Sequence, residues 1–327
     1  MRTVFPGRGL RAAPSALALL SASVVAAAPL RAQLSVALTG GTVRYENVAT
    51  ASSLSVSPDL LLTSPYLFFD AAANAASGTG GTRVIQGGAT FWGATPPMGR
   101  FLQLTGLIQA QGTKPEGDVW SSAGQAFGEI ALARPGRGVA VGAGGARGQL
   151  QGQPAVNALR TGARAWTTAG PAWVALSVQP TRMSDTSGGA WFTDVGGRVQ
   201  VNRGAWIVVG GATVRGGSGL TTSAGMDAAA FWRSPRGYSF EASGGRYLRD
   251  PYQALPAGWY LTAGVRLTLW TPRSAGLRSN VGQATLSTVG VGSQAGTGLQ
   301  GTSATRSVPA VTKPTSAGGS TGRGHRP

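Results

Sequence analysis

The chain has 327 residues, of which 12% are charged and 42% hydrophobic, with 52 glycines, no cysteine and a formal charge of +17. Zero cysteine excludes disulfide scaffolds, thiol catalysis and thiolate metal sites, and low charge with this apolar content excludes disorder over most of the chain. The positive charge is not a nucleic-acid footprint: four arginines lie in residues 1–32 and six basic residues in 271–327. The remaining 18 basic and 11 acidic residues are scattered singly, with no continuous phosphate track.

Arg2, Arg8 and Arg11 precede an uncharged Ala/Leu/Val/Ser run from Ser15 to Ala28, which Pro29 ends. This is the layout of a secretory signal peptide, with cleavage expected after Ala32. Residues 1–32 are therefore read as the export signal, 33–270 as the folded body and 271–327 as a low-complexity tail.

The body divides into fourteen runs separated by Gly, Pro, Asn, Asp and Ser clusters: 33–39, 42–56, 59–73, 82–94, 99–111, 118–133, 137–149, 155–168, 171–183, 189–201, 204–215, 221–233, 236–248 and 257–270. Strands send successive side chains to opposite faces, and several runs alternate accordingly. Leu102, Leu104, Ile108 and Ala110 oppose Gln103, Thr105, Gln109 and Gln111. Leu159, Thr161, Ala163 and Ala165 oppose Arg160 and Arg164. Val174, Leu176 and Val178 oppose Ser177 and Gln179, and Val195, Val199 and Val201 oppose Asp194, Arg198 and Gln200. Run 204–215 is apolar on both faces, and Pro65 in run 59–73 predicts a bend or bulge.

Short and longer connections alternate along most of the chain. Asn202-Arg203 and Ser234-Pro235 are short; Ser184 to Gly188, Gly216 to Leu220 and Arg249 to Pro256 are longer. A sheet crosses a bilayer only as a closed barrel, because lipid offers backbone amides no partners, and such barrels alternate short turns with longer loops. About 9 to 11 tilted residues span the hydrocarbon, which these runs supply. Trp92, Trp120, Trp166, Trp173, Trp191, Trp206, Trp232, Trp259 and Trp270 fall near run ends and are expected to form interfacial girdles.

The last run, GWYLTAGVRLTLW, places Trp259, Leu261, Ala263, Val265, Leu267 and Leu269 on one face against Thr262, Gly264, Arg266 and Thr268 on the other. Its residues Gly264, Val265, Leu267, Leu269 and Trp270 resemble the closing strand of bacterial outer-membrane β-barrel proteins of the porin-like kind. Trp270 is one residue out of phase with the leucines, and 57 residues follow it. The resemblance implies an all-β, antiparallel up-and-down barrel of about fourteen strands, with 12–16 as bounds. It also implies insertion by the barrel-assembly machinery into outer-membrane lipid.

The tail has no Phe, Trp or Tyr and no acidic residue, so it is expected to be disordered, in the periplasm, apart from a short strand at Ala284 to Val289. His325, the only histidine, lies in it. That leaves the body no histidine for catalysis or for a metal, and the chain is read as non-enzymatic, without cofactor. Glu116 and Asp118 near Lys114 read as a polar loop, and the glycine-rich 142–148 lacks the helix a phosphate-binding loop requires.

A polar, mildly cationic lumen is expected from Arg160, Arg164, Arg198, Arg266, Gln103, Gln125, Glu129, Asp194, Gln200 and Glu241. Unpaired arginines would favour small anionic solutes in an open pore; arginines paired with Glu129, Asp194 and Glu241 would plug it and leave a structural barrel. The expected function is a passive pore or structural barrel of the outer membrane. The rival is a secreted, soluble β-rich protein that binds carbohydrate or surfaces.

Overall fold

The structure is a computed structural model that describes residues 31–45, 51–63, 67–78, 83–115, 121–134, 136–149, 155–184, 188–218, 220–247 and 258–270. These form fourteen strands: β1 (Arg31–Tyr45), β2 (Ala51–Thr63), β3 (Leu67–Gly78), β4 (Arg83–Ala94), β5 (Leu102–Pro115), β6 (Ser121–Arg134), β7 (Arg137–Gln149), β8 (Val156–Ala169), β9 (Ala172–Ser184), β10 (Gly189–Arg203), β11 (Trp206–Gly217), β12 (Leu220–Arg233), β13 (Tyr238–Tyr247) and β14 (Gly258–Trp270). Each pairs antiparallel with its sequence neighbours, and β1 pairs with β14, so the sheet closes on itself. Closure removes both sheet edges, the one arrangement in which β-structure tolerates hydrocarbon.

The register sets the width. Pairing partners followed once round the barrel return to β1 displaced by about 18 residues. With fourteen strands about 4.8 Å apart, that stagger tilts them by about 40° and gives a backbone diameter of about 28 Å.

The alternation read from the sequence holds in β5, β8, β9, β10 and β14. Leu176 (64% exposed), Leu261 (62%) and Val141 (60%) point outward, while Ala131, Arg164 and Gln200 point inward and are buried. A barrel with an apolar outside and a polar inside inverts the soluble pattern.

Two differences from the sequence reading concern β1 to β3. Gly40-Gly41 looked like a turn but lies inside β1, paired with Leu54-Ser53 and with Ala263-Thr262. A Cβ on Gly41 would stand 2.8 Å from the Thr262 methyl, so the glycine admits a close neighbour and does not mark a turn. This moves every boundary up to β3. Pro65, where a bend or bulge is expected from the sequence, lies outside the described residues. The proline that does interrupt a strand is Pro58, which faces outward, paired with Val36, while the β2–β3 ladder skips its position. Pro180 does the same between β8 and β9. Strand β1 also begins at Arg31, before the cleavage position expected after Ala32.

The starts of the odd-numbered strands and the ends of the even-numbered ones share one rim, with the described connections 95–101, 170–171, 204–205 and 234–237. This is called the short-turn rim. The ends of the odd-numbered strands and the starts of the even-numbered ones form the opposite, long-loop rim. The β11–β12 connection there is only 218–219, shorter than read from the sequence, because Gly217 and Leu220 already pair across a register shift. Gly170 (φ 58°) and Gly204 (φ 59°) adopt the left-handed conformation that two-residue hairpins demand. Residues 1–30, Glu116, Asp118, Trp120 and all of 271–327, with Ala284 to Val289, lie outside the described residues, as does the side chain of Trp270.

Candidate functional site

All ten residues read as lumen-lining point to the inside of the barrel. Gln103, Gln125, Glu129, Arg160, Arg164, Asp194 and Gln200 are buried, and Arg198, Glu241 and Arg266 partly so. Arg164 binds Glu129 bidentately, Nε to Oε1 and Nη2 to Oε2, both at 2.7 Å, and Thr105 Oγ1 donates to Glu129 Oε2 at 2.9 Å. Arg160 Nη1 donates to Gln125 Oε1 at 2.6 Å, and Gln125 Nε2 passes the chain on to Gln109. Arg266 donates to Glu241 at 3.2 Å and to Ser35 at 3.3 Å, tying β14 to β13 and across the closure to β1. Gln103 donates to the Thr95 carbonyl, and Gln200 to Asn202.

Two partners escaped the sequence reading. Asp194 is bonded bidentately, at 2.7 and 2.8 Å, by Arg215, which is not among the four arginines named there. Arg198 pairs with Asp227 at 3.0 Å. The signal for Arg215 was present: Val209, Gly211, Thr213 and Arg215 share one parity, but apolar residues on both sides of run 204–215 masked its phase. Asp227 is likewise in phase with Gly225 and the buried Ala229.

The direction of these pairs decides what they do. Glu129 and Arg164 sit on β6 and β8, Asp194 and Arg215 on β10 and β11, Arg198 and Asp227 on β10 and β12, Glu241 and Arg266 on β13 and β14. Each of these four pairs thus joins strands one or two apart. The guanidinium of Arg164 also lies over the Trp166 ring at 4.6 Å, and that of Arg215 over Phe192 at 4.4 Å. The arginines are thus held by carboxylates, an amide and aromatic rings on their own or nearby strands.

Glycine supplies the bed for this layer. Gly142, in the glycine-rich 142–148 of β7, lies between Glu129 and Gly162 in the ladder. A Cβ there would stand 2.6 Å from Glu129 Cγ, 2.7 Å from Phe127 Cε1 and 2.5 Å from the Gly128 carbonyl oxygen. Gly142→Val is expected to displace Glu129 from Arg164 and cost about 1–3 kcal/mol, read by denaturant titration of the refolded barrel.

The tryptophans divide, which corrects the girdle expectation for three of them. Trp191, Trp206 and Trp259 are half-exposed and outward, and Trp232 packs beside Tyr238 and Phe240 on the outer face. Trp92, Trp166 and Trp173 point inward and are buried. Trp166 and Trp173 cluster with Ala131, Ala140 and Ala175 on the inner wall near the short-turn rim, and Gly138 yields its Cβ space to the Trp166 ring. Proximity to a strand end does not set the face; parity does.

No family model and no curated protein match this chain. Among solved structures it is similar to OpdO of Pseudomonas aeruginosa (TM-score 0.40, 10% identity, 74% of this chain and 98% of that one). It is also similar to OccAB3 of Acinetobacter baumannii (0.42, 9%, 73% and 99%) and to a TodX monoaromatic hydrocarbon channel variant (0.42, 6%, 73% and 90%). These likenesses are distant, and the assignment of an all-β, antiparallel up-and-down barrel rests on the register and closure of this chain's own strands.

Proposed function

We propose that the chain is an exported outer-membrane β-barrel that acts as a passive pore without catalytic activity. The observation that carries this reading is the course of the charged pairs along the wall of a fourteen-stranded barrel. An eight-stranded barrel is filled by its side chains, and diameter grows roughly linearly with strand number. Fourteen strands enclose more width than eight, and an inner face rich in glycine, alanine, serine and threonine leaves room for a bore. Arg160, Arg164, Arg198, Arg215 and Arg266 share the inner face with Glu129, Asp194, Asp227 and Glu241, and Asp59 and Asp70 take inward register positions opposite Ser35 and Thr90, so the wall is polar and carries both signs of charge.

Outward Leu, Val and Ala contact lipid, residues 1–32 direct export, the barrel-assembly machinery inserts the chain, and the tail from Thr271 lies in the periplasm. The outer band between Trp191 and the level of Trp206 on β10 is about 30 Å tall, close to a hydrocarbon thickness. The test is swelling of proteoliposomes in a small neutral sugar. Swelling above the rate of empty liposomes is expected; folded barrels that leave the rate unchanged would remove the pore and keep only the barrel.

A further inference from the structure

The basic residues that look scattered in the sequence are gathered by the fold. On the outer face at the long-loop rim stand Arg83 on β4, Lys114 on β5, Arg147 on β7 and Arg182 on β9, all exposed. Arg83 and Lys114 flank Ile85, which pairs with Lys114. Arg147 pairs with Asn157, two residues along β8 from Leu159, the partner of Arg182. Arg182 lies 5.7 Å from the outward ring of Trp191. Further round the same rim, the exposed Arg44 pairs with the outward Trp259. Among the described residues, no carboxylate shares the outer face with Arg83, Lys114, Arg147 or Arg182: Glu129, Asp194, Asp227 and Glu241 face inward, and Asp59 and Asp70 take inward register positions opposite Ser35 and Thr90.

A cation on a lipid-facing surface, at the level of half-exposed tryptophans, sits where lipid headgroups sit. Four of them on strands β4 to β9 face the anionic groups of that layer, each contributing attraction that a neutral headgroup does not return. We infer that this rim is a docking surface for a phosphorylated lipid, with Arg83/Lys114 and Arg147/Arg182 each placed to take a phosphate. The inference rests on the outer-membrane reading above. It goes beyond that reading by naming the lipid chemistry and the residues.

The probe is lipid A, an acylated glucosamine disaccharide with two phosphates, added to the full chain in detergent and followed by native mass spectrometry. Replacing Arg83, Lys114, Arg147 and Arg182 together by Gln is expected to weaken binding by about tenfold or more, and removing both phosphates from the lipid to do the same. Replacing Arg134, Arg137 and Arg203, exposed at the opposite rim, is expected to leave affinity within about twofold. Equal binding by the four-residue variant, or equal loss from the opposite-rim variant, overturns the inference. Far-UV circular dichroism and the need for detergent are recorded on each sample. A chain soluble without detergent sinks the barrel reading itself, whereas a detergent-embedded barrel indifferent to phosphate sinks only the lipid site.

Discussion

Truncating Glu129 to Ala is expected to destabilise the barrel by about 3–5 kcal/mol, because it strands a buried arginine. The side chains of Arg164 and Glu129 are 2% and 4% exposed, and the carboxylate accepts both guanidinium bonds and the Thr105 hydroxyl. Bidentate, charge-assisted bonds of this length hold β6 to β8 over the intervening β7, whose Gly142 leaves them room. The cost comes mainly from the uncompensated charge, so replacing both partners, Glu129→Met with Arg164→Met, is expected to recover most of it. Urea titration of the refolded barrel in lipid vesicles reads both numbers. A loss below about 1 kcal/mol for the single variant would show that the pair is solvated and not part of a packed wall.

The second large effect lies on the outer face. Leu176, near the middle of β9 and 64% exposed, is expected to tolerate no charge. Leu176→Arg should cost about 2–4 kcal/mol in a bilayer, the midplane value for a lipid-facing arginine. The rival picture, a soluble β-protein, predicts the reverse: an exposed leucine exchanged for arginine on a water-facing strand changes stability by about 0.5 kcal/mol or less. The same vesicle titration separates the two.

Much of this architecture was legible because period-two alternation carries both strand and face. In β5, Gln103, Thr105 and Gln109 alternate with Leu104 and Ile108 so cleanly that one residue of slip would expose every polar group to lipid. The inward face of the ten residues expected to line the lumen was read from that parity. It failed where glycine or an apolar doublet blurred it. Gly40-Gly41 is a turn signal in most contexts, yet here serves close packing against Thr262, and only the partner strand reveals this. Arg215 was hidden by Ile207 and Val209, apolar residues on the lumen face near the short-turn rim, where Trp166 and Trp173 also turn inward. Which carboxylate each arginine takes depends on cross-strand stagger, a property of the whole sheet that no single run contains. The rim of cations was invisible for the same reason: Arg83, Lys114, Arg147 and Arg182 are far apart in the chain and meet only through the register.

The central claim is that the charged pairs brace the wall and leave the bore free. Single-channel conductance in planar bilayers tests it most directly, comparing the wild-type chain with the Glu129→Met, Arg164→Met pair. Wild-type chain that conducts in discrete steps, with the paired variant giving steps of similar size, is the predicted result. A silent wild-type barrel that begins to conduct only when the pair is removed would show that the pair is a plug, and would contradict the account.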